Sequence, residues 1–266
     1  MQIGITTIQR DRAPWIKEWI VFHYLVGFRK FYIYLHKCSD DTEKILNKLK
    51  QKLDIEIMIV NPKLKTPQLK SYEDAYTKFG DEVDWMAFID GDEFLFPTKD
   101  KSMEIALKKY SDKKLSALGV YWSCFGSSGH IKEPKGLIIE NYKYRAEDNY
   151  SNNRHIKSIV RGGLKKFTQP PDNPHLFQTP QGTFDENLRP ITQGWTDYKP
   201  TYENFRINHY ITQSRSFFLN FKSKVNPPDG ASMRDEAFWK EHDINDVLDN
   251  SMDKFIKPLK KILKSL

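Results

Sequence analysis

Two cysteines in 266 residues, Cys38 and Cys124, are too few and too far apart in sequence for a disulfide framework or a cysteine metal cluster, and both read as free thiols. No 18-residue apolar run occurs, so no segment reads as a membrane-spanning helix. Met1 leads straight into a strand-like run with no basic and apolar leader, and the expected compartment is the cytoplasm. Internal repeats and low-complexity tracts are absent, which excludes solenoids and arrays. Acidic residues are outnumbered, 35 against 42 Lys and Arg, for a net charge of +7. That balance raises the question of nucleic acid. The basic residues mostly interleave with acidic ones, however, and no DNA- or RNA-binding motif is present, so no nucleic-acid partner is expected.

What the chain does have is length for a full core, and 14% aromatic residues to fill it. The opening 90 residues alternate in period. Residues 2–7 read as a strand, and residues 15–26 carry apolar side chains at helical spacing after Pro14, which suits a first helical turn. Residues 31–35 read as a second strand, 41–53 as a helix, 55–60 as a third strand and 68–79 as a helix. Residues 85–89 read as a fourth strand. Strand and helix taking turns predict an α/β fold with a mostly parallel central sheet flanked by helices. Residues 1–250 are expected to form one such domain, with 251–266 as a basic amphipathic helix.

The apolar run Trp85-Met86-Ala87-Phe88-Ile89 ends in Asp90-Gly91-Asp92-Glu93-Phe94. In extended chain, residues i and i+2 face the same side about 6–7 Å apart, so Asp90 and Asp92 can share one small volume. Gly91 leaves room for a ligand to approach. Like charges that close repel unless a cation lies beside them, and a hard ion such as Mn²⁺ or Mg²⁺ with open positions for phosphate would relieve the repulsion. A solvated Asp-Gly-Asp turn is the plainer alternative. A calcium loop is not supported, because the Asp-x-Asp-x-Asp-Gly frame is missing. In parallel α/β sheets, ligands bind beyond the carboxyl ends of the strands, where this cluster lies.

Six stretches in order carry a family resemblance: Ala13-Pro14-Trp15-Ile16-Lys17-Glu18-Trp19-Ile20, Phe31-Tyr32-Ile33-Tyr34, residues 84–94, Trp122-Ser123-Cys124-Phe125-Gly126-Ser127-Ser128-Gly129-His130, Lys157-Ser158-Ile159-Val160 and Ile207-Asn208-His209-Tyr210. Together they resemble the bacterial branch of glycosyltransferase family 92, close to the family-2-like transferases with a GT-A fold. The resemblance implies metal-dependent, inverting transfer of a sugar from a nucleotide-diphosphate sugar, UDP-linked in expectation, to a hydroxyl of a glycan acceptor, as in cell-surface polysaccharide synthesis. It implies Asp90, Asp92 and His209 as metal ligands, with Asp90 also near the donor ribose. Thr6, Asp11, His36 and Asp40 become donor contacts, and Trp122, Phe125, Ser127, Ser128 and Lys157 sugar contacts. Asp148 and His130 are the candidates for general base, with Asp172, Asp229 and Asp235 competing. The chain departs from the family where Asn-Glu is usual and it has Asp11-Arg12, and where Asp or Asn is usual and it has Leu35-His36. These departures motivate the alternative of an inactive nucleotide- or glycan-binding protein of the same fold.

Two further segments stand out. Residues 168–201 hold Pro170, Pro171, Pro174, Pro180, Pro190 and Pro200 with little periodicity, and read as an acceptor-side flap. After Ser251, lysines alternate with Phe255, Ile256, Leu259, Ile262, Leu263 and Leu266 at helical spacing. A helix docked on the domain is the plain expectation. The alternative is peripheral contact of 252–266 with the anionic inner face of the cell membrane.

Overall fold

The computed structural model describes residues 1–228 and 232–266. The alternation expected from the first 90 residues is present. Strand β1 (Ile3–Gln9) leads into helix α1 (Ile16–Val26), then β2 (Lys30–Leu35), α2 (Thr42–Leu49), β3 (Asp54–Ile59), α3 (Pro67–Phe79) and β4 (Trp85–Phe88). Pro14 lies in the turn before α1 rather than in the helix. The helix starts where the Trp15 and Ile16 amides both donate to the Arg12 carbonyl, and Gly27 at φ 120° ends it. β3, β2, β1 and β4 lie side by side and run parallel.

The second half of the chain completes and then divides the sheet. It supplies β5 (Glu93–Pro97), α4 (Met103–Lys108), β6 (Ala117–Phe125), α5 (Ile138–Asn141), β7 (Tyr144–Arg145), β8 (Ile156–Arg161), β9 (Thr183–Phe184), β10 (Pro190–Ile191) and β11 (Phe205–Tyr210). The short α6 (Arg215–Phe217), a π-helical turn over Phe218–Lys222, α7 (Glu236–His242), β12 (Val247–Leu248) and α8 (Asp253–Ser265) follow. β8 pairs antiparallel with β4, and β6 pairs antiparallel with β8, so the expected parallel order holds for the first four strands and is broken by β8, with β5, β7 and β10 also antiparallel to their neighbours. β6 belongs to two layers. Its first half, Ala117 to Tyr121, is bonded to β8; its second half, Trp122 to Phe125, runs parallel to β11, which carries β5 on its far edge.

α8 packs on the domain. Leu259 is fully buried, and Phe255, Ile256, Ile262, Leu263 and Leu266 pack against the main core beside α1. The Phe255 ring meets Phe22 at 5.4 Å and Phe96 at 5.6 Å, both edge to face. Lys260 pairs with Glu140 at 2.7 Å, and Lys143 with Asp253 at 2.7 Å. The apolar face that a membrane contact would need is therefore already covered by protein, which corrects the membrane alternative for 252–266. Among the described residues, no helix is long and apolar enough to cross a membrane. Within residues 168–201, Phe177 is buried and stacks on Phe167 at 4.6 Å, while many other positions of the segment are exposed.

Candidate active site

A cavity of about 300 Å³ opens where β1, β2 and β4 end and β6 meets β11. Asp90, Gly91 and Asp92 line it at the end of β4, Gln9 at the end of β1 and His36 just past β2. Trp122, His155, His175 and His209 form an aromatic wall, and Lys222, Arg234, Phe238 and His242 come from the C-terminal region. Gly91 lies close against Gln9: a Cβ would lie 2.2 Å from Gln9 Oε1 and would push that side chain aside.

Asp90 is held by three side chains, with its own side chain 31% exposed to the cavity. Its carboxylate accepts from Gln68 Nε2 at 2.5 Å, Tyr72 Oη at 3.3 Å and Lys157 Nζ at 2.9 Å. Its amide donates to Glu93 Oε2 at 2.8 Å. Glu93 is buried without remainder, and burial holds its carboxyl well above the ordinary range despite Lys157, 4.0 Å away. Lys157 lies closer to Asp90, at 2.9 Å, than to Glu93. Burial together with Asp90 also keeps the Tyr72 phenol neutral.

Asp92 has its own ammonium. Lys222 Nζ lies 2.5 Å from Asp92 Oδ2 and also donates to the Ile211 carbonyl, with the Lys222 side chain only 6% exposed. His209 Nε2 lies 3.7 Å from Asp92 Oδ1. Burial disfavours the charged form of Asp92, but the Lys222 ammonium and the Arg12 guanidinium outweigh it and hold the carboxyl well below the usual range. Burial brings His209 down to about 3, so it is a neutral imidazole, and its Nδ1 has no partner among the described residues. Arg12 Nη2 donates to the Gly91 carbonyl at 2.8 Å and braces the turn between the two aspartates.

These residues do not fit the expected Mn²⁺ or Mg²⁺ centre. Asp90 Oδ2 accepts from Lys157 and Asp92 Oδ2 from Lys222, so a cation here would compete with two ammonium groups for the same carboxylates. No group of three His, Cys, Asp or Glu side chains among the described residues is arranged to hold a metal ion. The repulsion that a divalent ion was expected to relieve is relieved by two lysines.

The other expected site residues divide in two. Trp122 and His36 line the cavity, and Lys157 reaches Asp90. The rest are elsewhere. Asp148 is exposed and pairs with Arg145 at 2.8 Å, and His130 Nε2 faces the Asn141 carbonyl at 3.1 Å; neither lines the cavity. Ser127 is bonded to Asp243 and Ser128 to Asn245, and both hold a loop in place. Phe125 is a core residue of β6 packed on Tyr210. Thr6 is buried inside β1. Asp11 accepts from the Ser39 and Asp40 amides, and Asp40 from the Thr42 amide and hydroxyl, so both shape the loop behind the cavity. Of the competing bases, Asp172 is exposed, Asp235 caps α7, and Asp229 lies outside the described residues.

Several cavity residues are not signalled by sequence. Gln68, Lys222, His155 and His175 come from four separate segments, and no spacing ties them to the Asp-Gly-Asp run. His155 and His175 share a useful property. Each Nδ1 faces a backbone carbonyl, of Asn152 at 3.1 Å and Ile156 at 2.9 Å, so each Nδ1 carries the proton and each Nε2 keeps a lone pair. Burial lowers both from the ordinary histidine range, which keeps them neutral.

A glycosyltransferase family 92 protein of Oryza sativa subsp. japonica is 29% identical over 158 residues, covering 59% of this chain and 26% of the relative. One from Arabidopsis thaliana is 22% identical over 219 residues, covering 79% and 37%. The chain thus spans only a quarter to somewhat over a third of these relatives. Among solved structures, S. aureus TarS 1–349 in complex with UDP-GlcNAc aligns with all of this chain and 73% of its own, at 13% identity and a TM-score of 0.46. Glucosyl-3-phosphoglycerate synthase of Mycobacterium tuberculosis in complex with UDP aligns over 46% and 44%, at 10% identity and a TM-score of 0.30. The profile of glycosyltransferase family 92 matches residues 3–247, and the chain belongs to that family.

Proposed function

We propose that this chain moves a sugar from a nucleotide-diphosphate sugar, with UDP as the carrier, to a hydroxyl of a glycan acceptor, with inversion at the anomeric carbon. One observation carries the reading in a chain of this family: a cavity beyond the carboxyl ends of β1, β2 and β4 joins Asp90-Gly91-Asp92 to basic and aromatic walls. Trp122 lines the cavity with its ring stacked on His155 at 4.9 Å, so that it can meet a sugar along the indole edge, where Nε1 has no hydrogen-bond partner among the described residues. Inversion needs one displacement and one base. The Nε2 lone pairs of His155 and His175, which both line the cavity, are the base capacity this reading assigns, in preference to Asp148 and His130, which do not line it. Polysaccharide assembly at the cell surface is the setting we favour for the acceptor. The divalent ion expected from the sequence is not built into this reading, because its ligands are already engaged.

Release of the nucleoside diphosphate from a panel of nucleotide sugars, with and without oligosaccharide acceptors, tests the proposal. Turnover with at least one donor is expected, and it should rise on adding the right acceptor. Tight donor binding with no turnover across the panel would instead establish an inactive binding protein.

A further inference from the structure

The cavity holds more positive charge than its aspartates need. Arg10, Arg12, Lys222 and Arg234 line it against only two carboxylates, Asp90 and Asp92, and Lys157 serves Asp90 from behind. Arg10 Nε, 3.8 Å from Asp11 Oδ2, and Arg12 Nε are buried with no hydrogen-bond partner among the described residues. Such a wall attracts an anion carrying two or more charges. Lys222 is the best placed of these cations. It ends the π-helical turn Phe218–Lys222, and its side chain is 6% exposed yet lines the cavity. An ammonium has three N–H donors; Asp92 and the Ile211 carbonyl take two, and the third has no acceptor among the described residues.

Resting on the donor reading above, we propose that Lys222 supplies to the donor diphosphate the positive charge that the sequence assigns to a divalent ion. Asp92 then acts as a positioning residue that fixes the ammonium at the end of β4. In the transfer, the bond from the anomeric carbon to the β-phosphate oxygen breaks with its electron pair on that oxygen, where Lys222 meets it. The acceptor oxygen bonds the anomeric carbon, and its proton passes to a cavity imidazole. The charge on the departing diphosphate is balanced by a group built into the fold.

Calorimetric titration with UDP and with uridine, in EDTA and in Mn²⁺, tests this on wild type, Lys222→Met, Lys222→Arg, Asp92→Asn and the Asp92→Asn/Lys222→Met pair. Wild type should bind UDP in EDTA, with affinity changed less than about twofold by Mn²⁺. Lys222→Met should weaken UDP by about 10- to 100-fold, the size of one charge-assisted hydrogen bond to phosphate, and leave uridine within about twofold. Lys222→Arg should recover part of the loss. Asp92→Asn should keep UDP binding in EDTA, since it frees the ammonium rather than removing it. The double variant leaves no unpaired buried charge, so it reports on Lys222 even if Lys222→Met folds poorly, and it should bind UDP as weakly as Lys222→Met. Equal UDP affinity in wild type and either lysine-to-methionine variant would overturn the proposal, as would UDP binding by wild type only when Mn²⁺ is added. Wild type that binds UDP in neither condition would instead remove the donor reading, and this inference with it.

Discussion

Asp92→Asn is the substitution on which the two accounts of this site differ most. If Asp92 were an open metal ligand, the amide would cost activity and leave the fold untouched. The structure makes it the counter-charge of Lys222, with Nζ 2.5 Å from Oδ2 and side chains 6% and 15% exposed. Losing one member of a fully buried pair costs about 3–5 kcal/mol, chiefly because the survivor stays charged and dry. The residual exposure of Asp92 and the Ile211 carbonyl beside Lys222 lower that to about 2–4 kcal/mol. For a chain of this length each kcal/mol shifts Tm by about 2 °C, so a drop of about 4–8 °C is expected. Scanning calorimetry of the four members of the Asp92→Asn, Lys222→Met cycle gives the coupling directly. Each single variant should melt well below wild type, and the double variant above both. If Asp92→Asn melts within about 1 °C of wild type, Lys222 is not held by Asp92 and the electrostatic account of the site fails.

Three further outcomes follow from the same structure. Leu259→Ala should cost about 2–4 kcal/mol and lower Tm by about 4–8 °C, because Leu259 is fully buried between α8 and the core; an unchanged Tm together with lost flotation on anionic vesicles would restore the membrane reading. Glu18 accepts from the Ile138 and Ile139 amides and is raised to about 7 by burial, so its contribution is fully present below about pH 4.5 and is lost as pH rises through 7. Urea unfolding of Glu18→Gln should therefore show a penalty about 2 kcal/mol larger at pH 5 than at pH 8, and a penalty that is flat with pH would refute the shift. Trp122→Ala should raise KM for the donor sugar more than it raises the dissociation constant of UDP, and equal changes in both would move the sugar away from Trp122.

The front of the chain was legible because its information is local. Strands read at 31–35 and 55–60 are Lys30–Leu35 and Asp54–Ile59, and the helix read at 68–79 is Pro67–Phe79. Each is set by its own apolar period and its own turn residues. Within 122–130 an aromatic strand runs into a Gly/Ser turn, and Trp122 to Phe125 do continue β6, but what holds them there is β11, some 80 residues on, which pairs with them. No periodicity announces a partner that distant. The aspartates were legible for their unusual spacing after a strand, whereas their lysines were not: a buried Lys222 in a π-helical turn looks, as sequence, like any surface lysine. Asp148 and His130 looked reactive only because their actual partners, Arg145 and the Asn141 carbonyl, are invisible before folding.

The division of β6 between two layers has a mechanical consequence. Trp122 and its neighbours are bonded on one side to the strand that carries His209, and Tyr121 on the other to the strand that carries Lys157. β4, which presents Asp90, is tied to the same framework through β8. The floor and the aromatic wall thus move as one stiff piece and cannot open against each other without breaking ladder bonds. Freedom to admit and release a ligand is left to the covering side, the segments that bring Lys222, Phe238 and His242 over the cavity. Amides of β4, β6 and β11 should exchange hydrogen at the rate of global unfolding, and those near Lys222 far sooner, so that the cation on Asp92 rides on the one part of the site able to yield.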